Sequence, residues 1–146
     1  MQQKIIWTLL LIIGFFNNMV FLPSCEKKID KPYFENSTYK NLSSFDIKIS
    51  VFRDIFKTEY IISDNDSLVQ QIDLDLGSLL SDGTIMEADS ITILFDEVRT
   101  SRFSRIDTSK FNIIDLDNFE LVRKEKNASF YRYTFTIDDY NYAGAK

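Results

Sequence analysis

The chain has 146 residues, no histidine and one cysteine, and its 22 acidic side chains outnumber 17 lysines and arginines, giving a formal net charge of −5. One chain of this composition cannot form an internal disulfide, a Ser-His-Asp triad or a zinc site of histidine and cysteine ligands. The negative charge argues against nucleic acid as a partner and against electrostatic attachment to anionic lipid.

The N-terminal segment has the pattern of a secretory signal. Lys4 supplies a short positive region, residues 5–16 are almost wholly apolar, and the small residue Ser24 stands directly before Cys25. Two alternatives stay open. Residues 5–22 approach the length of a membrane-spanning helix, and a plain secretory signal would leave Cys25 incidental.

The last four residues of this segment, Leu22, Pro23, Ser24 and Cys25, resemble the lipobox of bacterial lipoproteins. An aliphatic residue stands three places before the cysteine, although Pro23 replaces the usual small or β-branched residue. The resemblance implies that cleavage removes residues 1–24 and that the Cys25 sulfur carries a diacylglycerol with acyl chains such as palmitate. One acyl chain holds a protein only marginally, so stable anchoring needs a second chain or signal.

Residues 25–44 predict a polar tether between the anchor and a folded domain. The segment is charged at its start, and Pro32 interrupts regular structure. Phe34 and Tyr39 could instead pack against the domain, which leaves the end of the tether open. Residues 45–146 are then a single domain, of a length that can bury one core.

The domain shows the two-residue alternation of apolar and polar side chains that predicts β-strands. Turns rich in Ser, Asp and Asn separate the predicted strands, which lie near residues 45–51, 55–62, 68–76, 91–95, 98–106, 119–124 and 129–137. A single helical turn is predicted near residues 138–144. The predicted fold is all-β, one antiparallel β-sandwich of about seven strands, with a Greek-key, immunoglobulin-like order assumed because it is common.

Close pairs of aspartates are the candidates for metal binding or acid–base chemistry. Asp64 and Asp66, in a turn at residues 63–67, suit Ca²⁺ best among these pairs, but the segment fails the EF-hand pattern and an ordinary solvated turn is the favoured interpretation. Paired carboxylates can also cleave glycosides. A short domain without a tryptophan platform favours a protein that is not an enzyme and that carries no cofactor besides the covalent lipid.

Two further groups of side chains resemble binding surfaces. Arg99, Arg102 and Arg105 suggest an anion site, but strand periodicity places Arg102 on the opposite face from the other two. Aromatic side chains on one face of the last strand suggest a sugar platform. Their shared apolar face favours core packing instead, and its members are Tyr131, Tyr133, Phe135 and Ile137.

The segments Asp66-Ser67-Leu68 and Asp89-Ser90-Ile91 resemble the Asp-Ser/Thr-aliphatic acceptor motif of general O-glycosylation in Bacteroidota. The resemblance implies Ser67 and Ser90 as glycan acceptors, with Ser67 the more accessible because it lies in a turn.

A lipobox leader, a tether and one β-domain rich in Asn, Asp and Ile together resemble small Bacteroidota lipoproteins of unknown function. The resemblance implies a lipid-anchored place in the cell envelope, at the periplasmic face of the outer membrane or at the cell surface, and it implies no activity. We therefore expect a non-catalytic interaction module that binds protein or glycan. An accessory carbohydrate-binding lipoprotein for glycan uptake and a small hydrolase are the alternatives.

Overall fold

The computed structural model describes residues 33–74 and 83–145. Within those residues, β-strands account for most of the chain, and one short α-helix lies near the C-terminus. The strands are β1 Phe34–Asn41, β2 Ile47–Arg53, β3 Phe56–Ile62, β4 Ser67–Asp73, β5 Ser90–Phe95, β6 Arg99–Ser104, β7 Glu120–Lys124, β8 Ala128–Phe135 and β9 Gly144–Ala145. The helix α1 is Ile137–Tyr142, and single 3-10 turns are Ile85–Glu87 and Leu116–Asn118.

The strands form two sheets, one ordered β4-β1-β8-β7 and the other β3-β2-β5-β6-β9. The predicted all-β sandwich is confirmed, with β1 and β9 added to the seven predicted strands. The paired strands run antiparallel except β1 and β8, which run parallel. The order differs from the immunoglobulin arrangement, in which the first two strands belong to one sheet, because β1 and β2 lie in different sheets.

The first strand corrects the tether predicted over residues 25–44. Residues 34–41 form β1, which pairs with β4 on one side and with β8 on the other, so the predicted tether can reach no further than residue 33. The alternation was obscured because two inward side chains of β1, Ser37 and Asn41, are polar. Residues 25–32 of the predicted tether lie outside the described residues.

The core lies between the sheets and is built from the inward side chains of both. Tyr133 and Phe135 are buried there, as the shared face predicted, whereas Tyr131 of the same predicted face is only half-buried. The Phe135 ring meets Phe95 of the opposite sheet edge to face at 6.3 Å. Ile137 leaves that face because the strand ends at Phe135, and Ile137 begins α1 with its side chain half exposed. Burial of the aromatic and aliphatic core is the main source of stability, because one cysteine cannot form a disulfide within the chain.

A buried asparagine joins the two sheets where the chain passes from β1 to β2. The amide nitrogen of Asn41 donates to the carbonyls of Phe45 (2.7 Å) and Ile62 (3.0 Å). Its carbonyl oxygen accepts from the N–H (3.0 Å) and hydroxyl (2.7 Å) of Ser43. Asn41 is fully buried, and the strength of these bonds depends on exclusion of water.

A second buried asparagine, Asn112, holds the long connection between β6 and β7 against the end of β6. Its amide nitrogen donates to the carbonyls of Ser104 (3.1 Å) and Asp107 (2.7 Å), and its side-chain oxygen accepts from the N–H of Ile114 (3.1 Å). The connection is thereby ordered although it contains only a single 3-10 turn.

We predict that Asn41→Ala lowers the free energy of unfolding by about 3 kcal/mol, because buried carbonyl and N–H groups lose their partners. Urea denaturation measures the change. Asn141→Ala, on the exposed surface of α1, is the matched control and should change the free energy by less than about 0.5 kcal/mol. Equal effects of the two substitutions would contradict the role given to Asn41.

Candidate functional site

The residues predicted for lipidation and cleavage lie outside the described residues; they are Cys25, Leu22, Pro23 and Ser24. The structure does describe where the chain enters the sandwich. The carbonyl of Tyr33 accepts from the N–H of Leu74 (3.0 Å), and its hydroxyl lies 2.6 Å from that of Ser129. Tyr33 is thereby held against the end of β4 and the start of β8.

This entry point distinguishes the two ends of the sandwich. In the four-stranded sheet, β1 and β8 begin where β4 and β7 finish. In the five-stranded sheet, β3 and β5 begin where β2 and β6 finish. We call this end of the sandwich the entry end. The opposite end is the far end, and it contains the β5–β6 turn at residues 96–98. A seven-residue strand such as β2 separates the two ends by about 23 Å.

The two serines predicted as glycan acceptors lie at opposite ends. Ser67 is exposed at the far end, where it begins the edge strand β4. Ser90 is half-buried at the entry end, where it begins β5 and pairs with Phe52 and Ser104. Both are first residues of strands, but Ser67 has a neighbouring strand on one side only.

The aspartates predicted as calcium ligands close a turn. Asp64 accepts hydrogen bonds from the N–H of Ser44 (3.1 Å) and from the side chain of Asn65 (2.7 Å), and Asp66 accepts from the N–H of Ser67 (2.7 Å). Within residues 33–74 and 83–145, no group of three or more His, Cys, Asp or Glu side chains could hold a metal ion. The contacts of Asp64 and Asp66 therefore assign them to the turn between β3 and β4.

A buried carboxylate was not identified from the sequence. Asp139 is 6% exposed and accepts the hydroxyl of Tyr133 on one oxygen. Its other oxygen accepts from the N–H (2.8 Å) and hydroxyl (3.0 Å) of Thr136, which completes a capping box at the start of α1. Burial and the adjacent carboxylate raise the pKa of Tyr133, so the phenol stays a donor to Asp139.

The three arginines are dispersed, as their periodicity predicted. Arg99 donates to carbonyls at the end of α1 and lies 4.8 Å from the ring centre of Tyr140. Arg105 donates to the carbonyls of Glu87 and Ala88 at the entry end. Arg102 is exposed on the outer face of the five-stranded sheet. Two of the three therefore bind carbonyls, and they do not form one anion site.

A shallow polar groove of about 260 Å³ crosses the outer face of the five-stranded sheet. At one side Glu59 pairs with Lys57 (2.6 Å) and Lys48 (2.9 Å), and at the other side Arg102 projects into solvent. The hydroxyls of Ser50, Thr92 and Thr100 also line the groove. The groove is lined by Lys48, Ser50, Lys57, Glu59, Thr92, Leu94, Thr100 and Arg102, a set suited to an extended polar ligand.

The two lysines beside Glu59 lower the pKa of its carboxyl from 4.5 to about 2. Because the folded pKa is depressed, the ionised carboxylate stabilises the fold above pH 4.5, and this contribution is lost as the pH falls from 4.5 towards 2. We predict that Glu59→Gln removes this part of the acid dependence, so that wild type loses more stability than the variant over that range.

Urea denaturation at a series of pH values measures this difference. Lys57→Gln, which removes one of the two cations, should give an intermediate acid dependence. Parallel curves for wild type and Glu59→Gln from pH 4.5 downwards would contradict the assignment.

An aromatic pocket of about 320 Å³ lies on the outer face of the four-stranded sheet. The guanidinium of Arg123 lies 4.0 Å from the ring centre of Phe130, and its Nε is 3.2 Å from Glu125. The pocket is lined by Thr38, Val122, Arg123, Phe130, Tyr131 and Arg132. Phe130 alternates with the buried side chains of β8, and a register shift in β7 between Leu121 and Arg123 pairs it with Arg123. The sequence does not reveal this pairing because the shift breaks the period of two.

Two exposed isoleucines occupy the entry end. Ile55 is 92% exposed in the turn between β2 and β3, and Ile106 is 90% exposed in the turn after β6. Asp89 binds both turns, because its carboxylate accepts from the N–H of Asp54 (2.9 Å) and its carbonyl from the N–H of Arg105 (3.1 Å). We call Ile55 and Ile106 the isoleucine tips. The sequence predicted Ile55 as the first residue of one strand and Ile106 as the last residue of another, but β3 begins at Phe56 and β6 ends at Ser104.

No family model, curated protein or solved structure matches this chain. Of the part that the structure describes, no helix combines the length and apolar character needed to cross a bilayer. The features that bear on function are therefore the apolar N-terminal sequence before Cys25 and the side chains of the groove, the pocket and the entry end.

Proposed function

We propose that the protein is a lipid-anchored lipoprotein of the cell envelope, whose sandwich is a non-catalytic module that binds protein or glycan. The observation that carries this proposal is the single cysteine at the end of an apolar leader, with Phe34 of β1 only nine residues after it. A folded body that starts so soon after Cys25 is held close to the bilayer by its acyl chains. The outer membrane, at its periplasmic face or at the cell surface, is the proposed location.

The contacts of the buried polar side chains support a binding role. Asn41, Asn112 and Asp139 direct their bonds to the chain's own backbone and neighbouring side chains, which fixes the loops and the helix. The groove and the pocket are shallow and lie on outer faces of the sheets. Such surfaces suit recognition of an extended partner. The net charge of −5 favours partners other than nucleic acid.

Metabolic labelling with a palmitate analogue tests the anchor. We predict that Cys25→Ala abolishes the label, because the acyl chains need the sulfur. Ser24→Ala is the matched control, since it keeps a small residue before the cysteine, and it should take up as much label as wild type. Undiminished label on Cys25→Ala would overturn the proposed function.

The aromatic pocket favours carbohydrate binding as the second candidate. It combines an outward ring, Phe130, with the hydroxyl of Thr38 and the guanidinium of Arg132, which are groups that recognise sugars by stacking and hydrogen bonding. Arg123 covers the ring and would have to move aside for a sugar to stack there.

A glycan array probed with the full lipoprotein in detergent tests this candidate. We predict that Phe130→Ala loses the glycans that wild type binds, whereas Val69→Ala, on the same outer face but outside the pocket, retains them. Binding that survives in Phe130→Ala would exclude the aromatic pocket as the sugar site.

A further inference from the structure

The entry end exposes apolar side chains from three separate turns. Besides the isoleucine tips, Phe56 at the start of β3 is 61% exposed, and Leu74, whose N–H donates to the Tyr33 carbonyl, is half exposed. Single exposed apolar side chains are ordinary on protein surfaces. Here they lie at one end of the sandwich, and two of them are almost fully exposed.

The isoleucine tips are held in place rather than left as free loops. Asp89 binds the residue that precedes each tip. The surrounding residues are also fixed, since Arg53 pairs with Glu87 (2.9 Å) and Arg105 binds the carbonyls of Glu87 and Ala88. Three strand spacings separate β3, beside the first tip, from β6, beside the second. At about 4.8 Å per spacing the tips are about 14 Å apart. Ordered side chains at fixed separation are what a planar partner would require.

The end that carries the tips is also the end at which the chain enters. Tyr33 follows Cys25 by eight residues, and a fully extended chain of that length spans about 28 Å at most. On the proposed function, on which this inference rests, a bilayer that holds Cys25 therefore lies within that distance of the entry end. The far end is about 23 Å further along the strands.

We propose that the isoleucine tips insert into the bilayer that holds the anchor, and that the sandwich thereby stands on its entry end. The tether limits the distance to the membrane without fixing the orientation, and burial of Ile55, Phe56 and Ile106 among acyl chains supplies the orientation. The anchored chain keeps the tips at high effective concentration near the lipid, so a modest apolar area is sufficient.

Charge at the entry end is mixed. Exposed Lys124 and Lys126 lie near exposed Glu125, and Asp54 precedes the first tip. Attraction to anionic headgroups therefore contributes little, and the insertion should be insensitive to salt.

The test places a fluorophore at each end of the full lipidated protein. Because Cys25 is blocked by its thioether, the variants Ile55→Cys, Ile106→Cys and Val98→Cys each carry one reactive thiol for an environment-sensitive dye. Val98 is 58% exposed in the far-end turn and is the matched control. Each protein is reconstituted in vesicles of phosphatidylethanolamine and phosphatidylglycerol, with and without doxyl-labelled lipid, after thermal unfolding has shown that it is folded.

We expect a blue shift and doxyl quenching at positions 55 and 106, unchanged by added salt, and neither effect at position 98. Equal signals at both ends would overturn the inference. A blue shift at the tips that doxyl lipid does not quench would assign them to a second copy of the chain or another protein surface, and would also overturn it.

The intact mass of the same preparation separates the two proposals. A mass that shows lipid on Cys25, together with no quenching at the tips, overturns this inference alone. A mass without lipid overturns the proposed function and this inference with it.

Discussion

The pairing of β1 between β4 and β8 is the constraint on which the rest of the structure depends. It places the first described strand in the interior of the four-stranded sheet, where both of its edges are hydrogen-bonded. The direction of β1 then decides which end of the sandwich receives the incoming chain. β1 leads through a short connection into β2 of the other sheet, and β2 runs antiparallel to β3 and β5. The entry point therefore lies at the end where β3 and β5 begin, which is also the end of the isoleucine tips. The first described residue, Tyr33, and the exposed apolar turns therefore lie at the same end of the sandwich.

Buried polar side chains replace covalent cross-links in this fold. With one cysteine in the chain, no disulfide can join the sheets, and burial of the aromatic and aliphatic core supplies the main driving force. Apolar contacts are not directional, whereas the bonds of Asn41 and Asn112 specify where the chain crosses from one sheet to the other. Asp139 fixes the start of the C-terminal helix in the same manner. Burying any of these polar groups without its hydrogen-bond partners would cost free energy. Packings of the same core that break these bonds are therefore less stable than the native one.

Much of the sandwich was predictable because its inward side chains alternate strictly. β2 and β5 place Ile47, Ile49, Ile91 and Ile93 in the core, and a period of two shows this in the sequence. β1 was missed because the inward positions occupied by Ser37 and Asn41 are polar, and a polar inward residue breaks the pattern on which the prediction depends. β9 was missed because two residues are too few to show a period.

The surfaces were less predictable than the core for a different reason. The contact of Arg123 with Phe130 depends on the register shift in β7, and a shift of one residue reverses the face of every following side chain. The isoleucine tips depend on where β3 begins and where β6 ends, and strand ends are the least certain part of a prediction from periodicity. Asp89, which binds both turns, was singled out only as part of a modification motif. Its hydrogen bonds to the two turns join residues that are distant in sequence, so the sequence alone does not show them.

Intact mass spectrometry of the protein extracted from its native membrane distinguishes a lipid-anchored chain from an unprocessed one. We expect a chain that begins at Cys25 and carries the additional mass of acyl chains joined to that residue. A chain that retains residues 1–24 and has no lipid mass would overturn the proposed anchor.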